Sequence, residues 1–278
     1  MFYLQLRNEL WKLFGKKRTY IGFGAFLLAQ TVMLLLFRFG DIRAGLSRML
    51  SGNGYDASDY ISALTVSVVM LIPQISLLMP LYATLVGGDM VAKEYEDGTL
   101  RMILSRPISR FRLLLVKWSA GIIFAMLLVL VLGVTALGAA SILFPWKGMF
   151  VFVPGEAFSV LPAGEGLLRF AFAHVFLAIN ASAIMSVAFM FSCFNMKPAA
   201  ATICALSFLL LSLVFENIPF FSSYENWFIT HHFKCWLMVF QNPIPWSQIV
   251  QSEIILTAVS VTAFIIGCTA FQVRDIKS

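Results

Sequence analysis

The sequence predicts an all-α polytopic membrane protein with six transmembrane helices, forming a single transmembrane domain over residues 1–278. Of the 278 residues, 60% are hydrophobic and 12% are charged, whereas soluble domains carry about a quarter charged residues. The excess apolar surface therefore has to face lipid. Long runs without Asp, Glu, Lys or Arg recur along the chain, and each can form a helix across the roughly 30 Å hydrocarbon core.

Six charge-free runs define the predicted spans, and they cover residues 19–37, 60–88, 118–146, 170–196, 198–215 and 254–273. Each run is continuously apolar rather than alternating, which argues against a membrane β-barrel. Pro73 and Pro80 lie inside the second run. They predict a packing kink there or, alternatively, a moving hinge.

Residues 1–17 predict an amphipathic helix that lies at the membrane interface. Its apolar positions recur at helical spacing and form one face: Phe2, Leu6, Leu10, Leu13 and Phe14. Its polar residues are expected to point elsewhere, with the lysines toward anionic lipid: Gln5, Asn8, Glu9, Lys12 and Lys16.

The distribution of basic residues predicts the orientation in the membrane. Of the 20 Lys and Arg, 14 lie at the two ends of the chain, in residues 89–117 or at Lys197, and the remaining 6 lie in the other connections. The positive-inside rule places the first set in the cytoplasm. An even number of spans then puts both termini in the cytoplasm, in a plasma membrane of the bacterial inner-membrane type. Because orientation accounts for the net charge of +6, nucleic acid is not an expected partner.

The segment 217–249, before the last span, is unusually aromatic for a loop. It contains nine aromatic residues together with Glu225, His231, His232 and Lys234. Aromatic side chains are enriched at membrane interfaces, so we expect re-entrant or interfacial helices in the outer leaflet. A seventh span is the alternative, but it would bury these polar residues and move Arg274 and Lys277 to the outside.

Few residues in the spans suggest chemistry. The three histidines form no H-E-x-x-H motif and the four cysteines form no C-x-x-C pair, so neither a catalytic nor a metal site is predicted. His174 is expected to be hydrogen-bonded or interfacial. Four polar residues of the fourth span either line a cavity or make helix contacts: Asn180, Ser182, Ser186 and Ser192. A substrate site is not identified.

The loop between the second and third runs carries the most specific pattern. Asp97-Gly98 is a turn signal, and Thr99 can cap a short helix. Leu100, Ile103 and Leu104 would share one apolar face of that helix. Pro107 would end it, and Ser109 can cap the third span. An apolar ridge flanked by charges needs a partner.

This loop resembles the type-2 ATP-binding-cassette (ABC) exporter permeases. The resemblance rests on an acidic pair followed by Gly-Thr-Leu, a Pro-x-Ser-Arg turn and a downstream Lys117. It implies that the loop contains a cytoplasmic coupling helix that docks on a separate ATPase. The coupling residues would be Glu94, Glu96, Gly98, Thr99, Leu100, Ile103, Leu104, Pro107 and Arg110.

The resemblance also implies a function: the membrane-spanning permease subunit of an ATP-driven exporter, rather than an enzyme. Its expected partners are an ABC ATPase subunit, a second permease copy or homologous permease, and the lipid bilayer. ATP and Mg²⁺ would bind the ATPase, because this chain has no G-x-x-x-x-G-K-[ST] phosphate loop. The alternatives are a stand-alone channel or secondary transporter and an intramembrane enzyme, which usually carry ionisable residues midway through their spans.

Overall fold

The computed structural model describes residues 2–105, 108–155 and 157–273, without the side chains of Arg101 and Leu104. It contains almost only helices. In chain order these are α1 (Phe2–Gly15), α2 (Lys17–Phe39), α3 (Ile42–Gly52), α4 (Ala57–Tyr60), α5 (Ala63–Pro73), α6 (Met79–Glu96), α7 (Thr99–Leu104), α8 (Arg110–Leu143), α9 (Ala163–Cys193), α10 (Pro198–Glu216), α11 (Ile229–His232), α12 (Cys235–Met238) and α13 (Trp246–Val273). Two strands, β1 (Met149–Val153) and β2 (Ala157–Leu161), lie between α8 and α9.

Six helical segments of the described chain are long and apolar enough to cross a membrane: α2, α5 with α6, α8, α9, α10 and α13. The predicted six-span, all-α fold is confirmed. The helices extend beyond the charge-free runs, most clearly at α8, which begins at Arg110 because the Ser109 hydroxyl accepts a hydrogen bond from the Arg112 amide. Ser109 therefore caps the third span as predicted.

The second span is one long segment interrupted by a π-helical turn over Gln74–Leu78. Proline lacks an amide hydrogen and clashes with the carbonyl one turn earlier, and Pro73 and Pro80 flank this turn. The Gln74 side chain donates to the Met70 carbonyl at 2.8 Å. The wider turn and the buried Gln74 amide together accommodate backbone groups that a regular helix would leave unpaired.

Helix α9 lies at the centre of the packing and contacts α6, α8, α10 and α13. Glycines in α6 permit close approaches between helices. A Cβ on Gly87 would lie 2.8 Å from the Met185 carbonyl oxygen, and one on Gly88 would lie 2.5 Å from the Thr202 hydroxyl oxygen. Small residues let membrane helices approach and gain dispersion contacts that lipid cannot offer.

An antiparallel hairpin, β1–β2, was not predicted. Met149 pairs with Leu161 and Val153 with Ala157, and Gly155 has a positive φ of 77° in the turn. The hairpin packs on the end of α5, where the Thr65 hydroxyl accepts a hydrogen bond from the Phe150 amide at 2.8 Å.

Residues 217–245 form short helices rather than a seventh span. A 3₁₀ helix (Pro219–Trp227) precedes α11 and α12, and Phe220 and Trp227 are strongly exposed while Cys235 and Phe240 are fully buried. Arg169 of α9 holds the end of this segment by donating to the carbonyls of Val239 and Gln241 at 3.1 and 2.7 Å. The segment therefore rests partly inside the bundle, which agrees with the predicted re-entrant or interfacial structure.

The connections fall on two opposite faces. One face, which we call the loop face, carries the loop between α6 and α8 with α7, together with α1 and the end of α13. The opposite face, which we call the hairpin face, carries the β1–β2 hairpin, α3, α4, α11 and α12. The same alternation of the spans places both described chain ends on the loop face.

Candidate functional site

The turn before α7 has the conformation that its sequence requires. Gly98 has a positive φ of 70°, a region that L side chains rarely adopt. The Asp97 amide donates to the Lys93 carbonyl at 2.9 Å, and the Thr99 hydroxyl donates to the Glu94 carbonyl at 3.2 Å. Thr99 is the first residue of α7, and its hydroxyl ties this helix back to α6.

The apolar side of α7 faces the interior of this chain. Leu100 is 1% exposed and belongs to the protein's own core, and Ile103 packs against that core. The expectation that Leu100 forms a ridge awaiting a partner is therefore corrected, because the bundle already covers it. The side chain of Leu104, like Pro107 as a whole, lies outside the described residues.

A compact ion-pair cluster lies directly behind α7. Lys117 Nζ is 2.7 Å from Glu94 Oε1 and 2.9 Å from Glu9 Oε2. Lys12 Nζ contacts the same two carboxylates, at 2.7 Å from Glu9 Oε1 and 3.1 Å from Glu94 Oε1. These four residues, the Glu94 cluster, join α1, the end of α6 and the start of α8.

Burial makes the Glu94 cluster different from a surface ion pair. The Lys117 side chain is 1% exposed and lies between two carboxylate partners. Burial by itself would raise the pKa of Glu9, but the ion pairs to Lys117 and Lys12 outweigh it and lower that pKa. Burial likewise opposes the charge of Lys12, yet its bonds to Glu9 and Glu94 raise the Lys12 pKa. The ion pairs thus favour the charged forms of Glu9 and Lys12.

Further polar contacts connect the helix ends around the cluster. Arg112 of α8 donates to Gln5 of α1 at 3.0 Å. Arg18 of α2 forms an ion pair with Asp89 of α6 at 2.8 Å. Arg110 donates to the carbonyls of Phe271 and Gln272, at 3.4 and 3.0 Å, and so places a positive charge at the carboxyl end of α13.

Helix α1 is present, and part of its polar side makes contacts within the protein that the sequence did not predict. Glu9 and Lys12 face α6 and α8 through the Glu94 cluster, and Gln5 faces Arg112. The apolar side behaves as expected at Leu13, which is buried, and at Phe14, whose ring packs 5.6 Å from that of Phe124. Lys12 pairs with both acids while 48% of its side chain stays exposed.

The surface that remains open on the loop face is formed by the turn and one side of α7. Met102 is 65% exposed, and Tyr95, Glu96 and Asp97 are exposed beside it. Glu96 and Asp97 both pair with Lys93, at 2.8 and 3.1 Å. A cleft of about 800 Å³ separates α7 from α1, and the Glu94 cluster lies on its walls.

The structure thus brings the predicted residues Glu94, Gly98, Thr99 and Leu100 together and adds partners that the sequence reasoning did not assign. Glu9 and Lys12 were attributed to a lipid-facing helix, and Lys117 served only as part of a resemblance. One signal was available: Glu9 and Lys12 are spaced i, i+3 on a helix, and Lys117 is a lone basic residue inside an apolar segment.

Polar side chains of α9 are used in packing. Asn180 donates to the Phe233 carbonyl at 3.0 Å, and the Ser186 hydroxyl accepts from the Trp118 indole at 2.9 Å. Ser182 and Ser192 donate to carbonyls of their own helix. These contacts favour the helix-contact alternative over a polar cavity. His174 donates from Nδ1 to the Phe170 carbonyl, at 2.7 Å, and packs on Gly133.

Comparison with known proteins identifies the family. The model of the ABC-2 family of transporter proteins matches residues 18–233, a range that includes α7 and Lys117. The chain belongs to the ABC-2 transporter family. The family match and the six long apolar helices agree with an integral membrane permease of this family.

A local similarity to a curated protein was also found. Over 65 residues the chain is 35% identical to the uncharacterized protein YhcI of Bacillus subtilis (strain 168). The match covers 23% of this ABC-2 chain and 21% of that protein. This ABC-2 chain thus spans about a fifth of the length of the curated relative that it matches.

Proposed function

We propose that this ABC-2 protein is the permease subunit of an exporter and that α7 is the helix through which a separate ATPase drives it. Two permease subunits, identical or homologous, would assemble with two ATPase subunits. The ATPases would bind ATP and Mg²⁺. The loop face would be cytoplasmic, since it carries most of the basic residues, and substrate would move toward the hairpin face.

The observation that carries this proposal is the contrast between the two sides of α7. Its inner side is anchored, since Leu100 is buried in the core and Thr99 is bonded to Glu94. Its outer side presents Met102 without cover from the described residues. A flexible, apolar side chain on a rigid support is suited to insertion into a pocket of a partner protein.

The Glu94 cluster supplies a path from that surface to the spans. A displacement of α7 acts on Glu94 through the Thr99 bond, and on Lys117 of the third span through the 2.7 Å ion pair. Because breaking a buried ion pair is costly, the joined helix ends should move together rather than separate. Through Glu9 the same movement would reach α1, so α1, α6 and α8 would respond to the ATPase as one unit.

Substitution of Met102 tests this assignment. Met102→Asp would place a charge at the centre of the proposed contact, where burial of an unpaired charge is unfavourable. We expect association with the ATPase to weaken by at least about tenfold, with unchanged expression because the side chain is exposed. Met49, in α3 on the hairpin face, is 41% exposed; Met49→Asp is the matched control and should have no effect.

The measurement is pull-down of the ATPase, with ATP hydrolysis by the assembly, at equal membrane levels of the wild type and both variants. Loss in Met102→Asp alone supports docking through α7. Normal association and hydrolysis in Met102→Asp would remove α7 from the interface.

A further inference from the structure

An apolar groove follows α13 on the side of the bundle that faces lipid. It extends along α13 from Val250 to Thr262, and Phe176 and Ile179 of α9 form its other wall. Its volume is about 590 Å³. At 1.5 Å of rise per residue the groove is about 18 Å long, somewhat more than half the thickness of the hydrocarbon core. It is therefore long enough to hold one extended alkyl chain.

Glu253 is the one titratable side chain among the described residues that line this groove. It is 8% exposed. The Cys235 thiol donates to its Oε1 at 3.0 Å, whereas its Oε2 is buried and has no hydrogen-bond partner. No Lys, Arg or His in the described part of the chain forms an ion pair with it. A buried carboxylate with an unused oxygen is costly unless a proton or a cation joins it.

The residues around Glu253 cannot supply that cation. Cys235 keeps its proton, because burial and the neighbouring charge of Glu253 raise the pKa of its thiol, and it has a single hydrogen to donate. Asn180 directs one amide hydrogen to the Phe233 carbonyl, at 3.0 Å, and its other amide hydrogen makes no bond to Glu253 Oε2. The second oxygen of Glu253 therefore has no donor among the described residues.

The depth of Glu253 defines how such a donor would be attached. Glu253 lies seven residues beyond Trp246, where α13 begins, or about 10 Å along the helix axis. Tryptophan is typical of the membrane interface. The rest of the groove continues deeper, past Ile254 to Val261. A ligand that enters from the hairpin-side leaflet would place its polar end at Glu253 and its apolar tail along α13.

We propose that the groove between α9 and α13 binds a single-chain cationic amphiphile, with its ammonium group on Glu253 and its alkyl chain against α13. A double-chain lipid with its headgroup at the interface would hold its charge too far from Glu253. An anionic chain of the same length would meet a like charge. The site is a property of this chain alone and does not depend on the proposed ATPase.

A photoactivatable alkylamine tests the site directly. The purified chain in zwitterionic lipid nanodiscs would be cross-linked to a diazirine-labelled dodecylamine, or to the dodecanoic acid of equal length, and the modified residues located by mass spectrometry. We expect the amine to modify residues 250–262 at least about tenfold more than the acid does, and an excess of unlabelled dodecylamine to suppress this.

Two variants separate the charge from the shape of the groove. Glu253→Gln keeps the acceptor for Cys235 and removes the charge, so amine labelling should fall to the level of the acid. Ala258→Phe fills the groove, whereas Val134→Phe adds the same bulk at an exposed position of α8; labelling should be lost only in the first.

Three results would overturn the proposal. Equal labelling by amine and acid would mean that Glu253 is satisfied by a proton. Unchanged labelling in Glu253→Gln would show that the carboxylate does not select the ligand. Protection of residues 250–262 from both probes, with cross-links between two chains at this groove, would show that a second copy of the protein occupies it.

Discussion

Lys117 Nζ lies 2.7 Å from Glu94 Oε1, and this ion pair joins the start of the third span to the end of α6, just before the turn that leads into α7. The pair is almost fully withdrawn from solvent at the lysine. It belongs to a cluster with two acids and two bases, so its charges balance locally. This balance explains how a lysine can lie inside a bundle of apolar helices.

Removing Lys117 should destabilise the protein markedly. Lys117→Met keeps much of the side-chain volume but leaves Glu9 and Glu94 with Lys12 alone, which should cost about 3–5 kcal/mol. Thermal unfolding of the detergent-purified protein measures the effect. Lys147→Met is the matched control, since Lys147 forms an exposed ion pair with Asp59 at 3.0 Å and its loss should cost less than about 1 kcal/mol. Equal effects of the two variants would contradict a structural role for the buried pair.

The turn at Gly98 should be sensitive to any side chain. Gly98→Val forces a β-branched residue to adopt a φ of 70°, which costs about 1–2 kcal/mol and should shift the turn and α7. We expect ATP hydrolysis coupled to transport to fall while the chain still inserts. Gly54→Val is the control, because Gly54 has a φ of 82° in a turn on the hairpin face. If both variants, or neither, lost coupling, α7 would have no special role.

The orientation can be tested with exposed single cysteines, because native Cys235 is fully buried and should resist an impermeant thiol reagent. Ser223, in the 3₁₀ helix, and Ser105, after α7, are both exposed. In a Cys204→Ala background, Ser223→Cys should react in intact cells, and Ser105→Cys only after permeabilisation. The opposite pattern would reverse the proposed topology.

Acid should weaken the packing of the aromatic segment. His232 Nε2 donates to the Asn226 carbonyl at 3.0 Å, and Nδ1 accepts from the Ser252 hydroxyl at 3.1 Å, which fits the neutral ring. Burial, aided by His231, lowers its pKa below 6.5. The unfolded chain then binds more protons, so the stability present above pH 6.5 decreases as the pH falls below it. The melting temperature should fall more between about pH 7 and about pH 5 in the wild type than in His232→Gln. An identical pH response of the two would exclude His232 as the cause.

The positions of the spans could be predicted because charge in the bilayer core is costly, so each charge-free run marks a helix. The predicted run 19–37 lies within α2, and 198–215 lies within α10. The helix boundaries were harder to predict from the charge-free runs. Helix α8 starts eight residues before its run, because its first turns contain charged residues and its cap is the polar Ser109. The hairpin β1–β2 was missed because a search for long apolar runs passes over two strands of five residues.

Only the local structure of the candidate site could be predicted, and not the contacts that its residues make. The pattern around Gly98 was sufficient to place a turn and a short helix, because positive φ and capping are local properties. The burial of Leu100 inside its own chain could not be predicted, because apolar residues at i, i+3 and i+4 form the same face whether it packs inward or on a partner protein. The partners of Glu94 lie 82 residues earlier and 23 residues later, at Lys12 and Lys117. Such long-range pairs follow from the packing of α1 on α8 rather than from any local motif.

Affinity purification of this ABC-2 protein from native membranes in mild detergent tests the central claim most directly. We predict that a protein with a G-x-x-x-x-G-K-[ST] phosphate-binding loop co-purifies in equal amount, that the assembly hydrolyses ATP, and that this chain, separated from it, does not. ATP hydrolysis by the homogeneous isolated chain, or transport by it in liposomes without any ATPase, would contradict its assignment as an ATP-driven permease subunit.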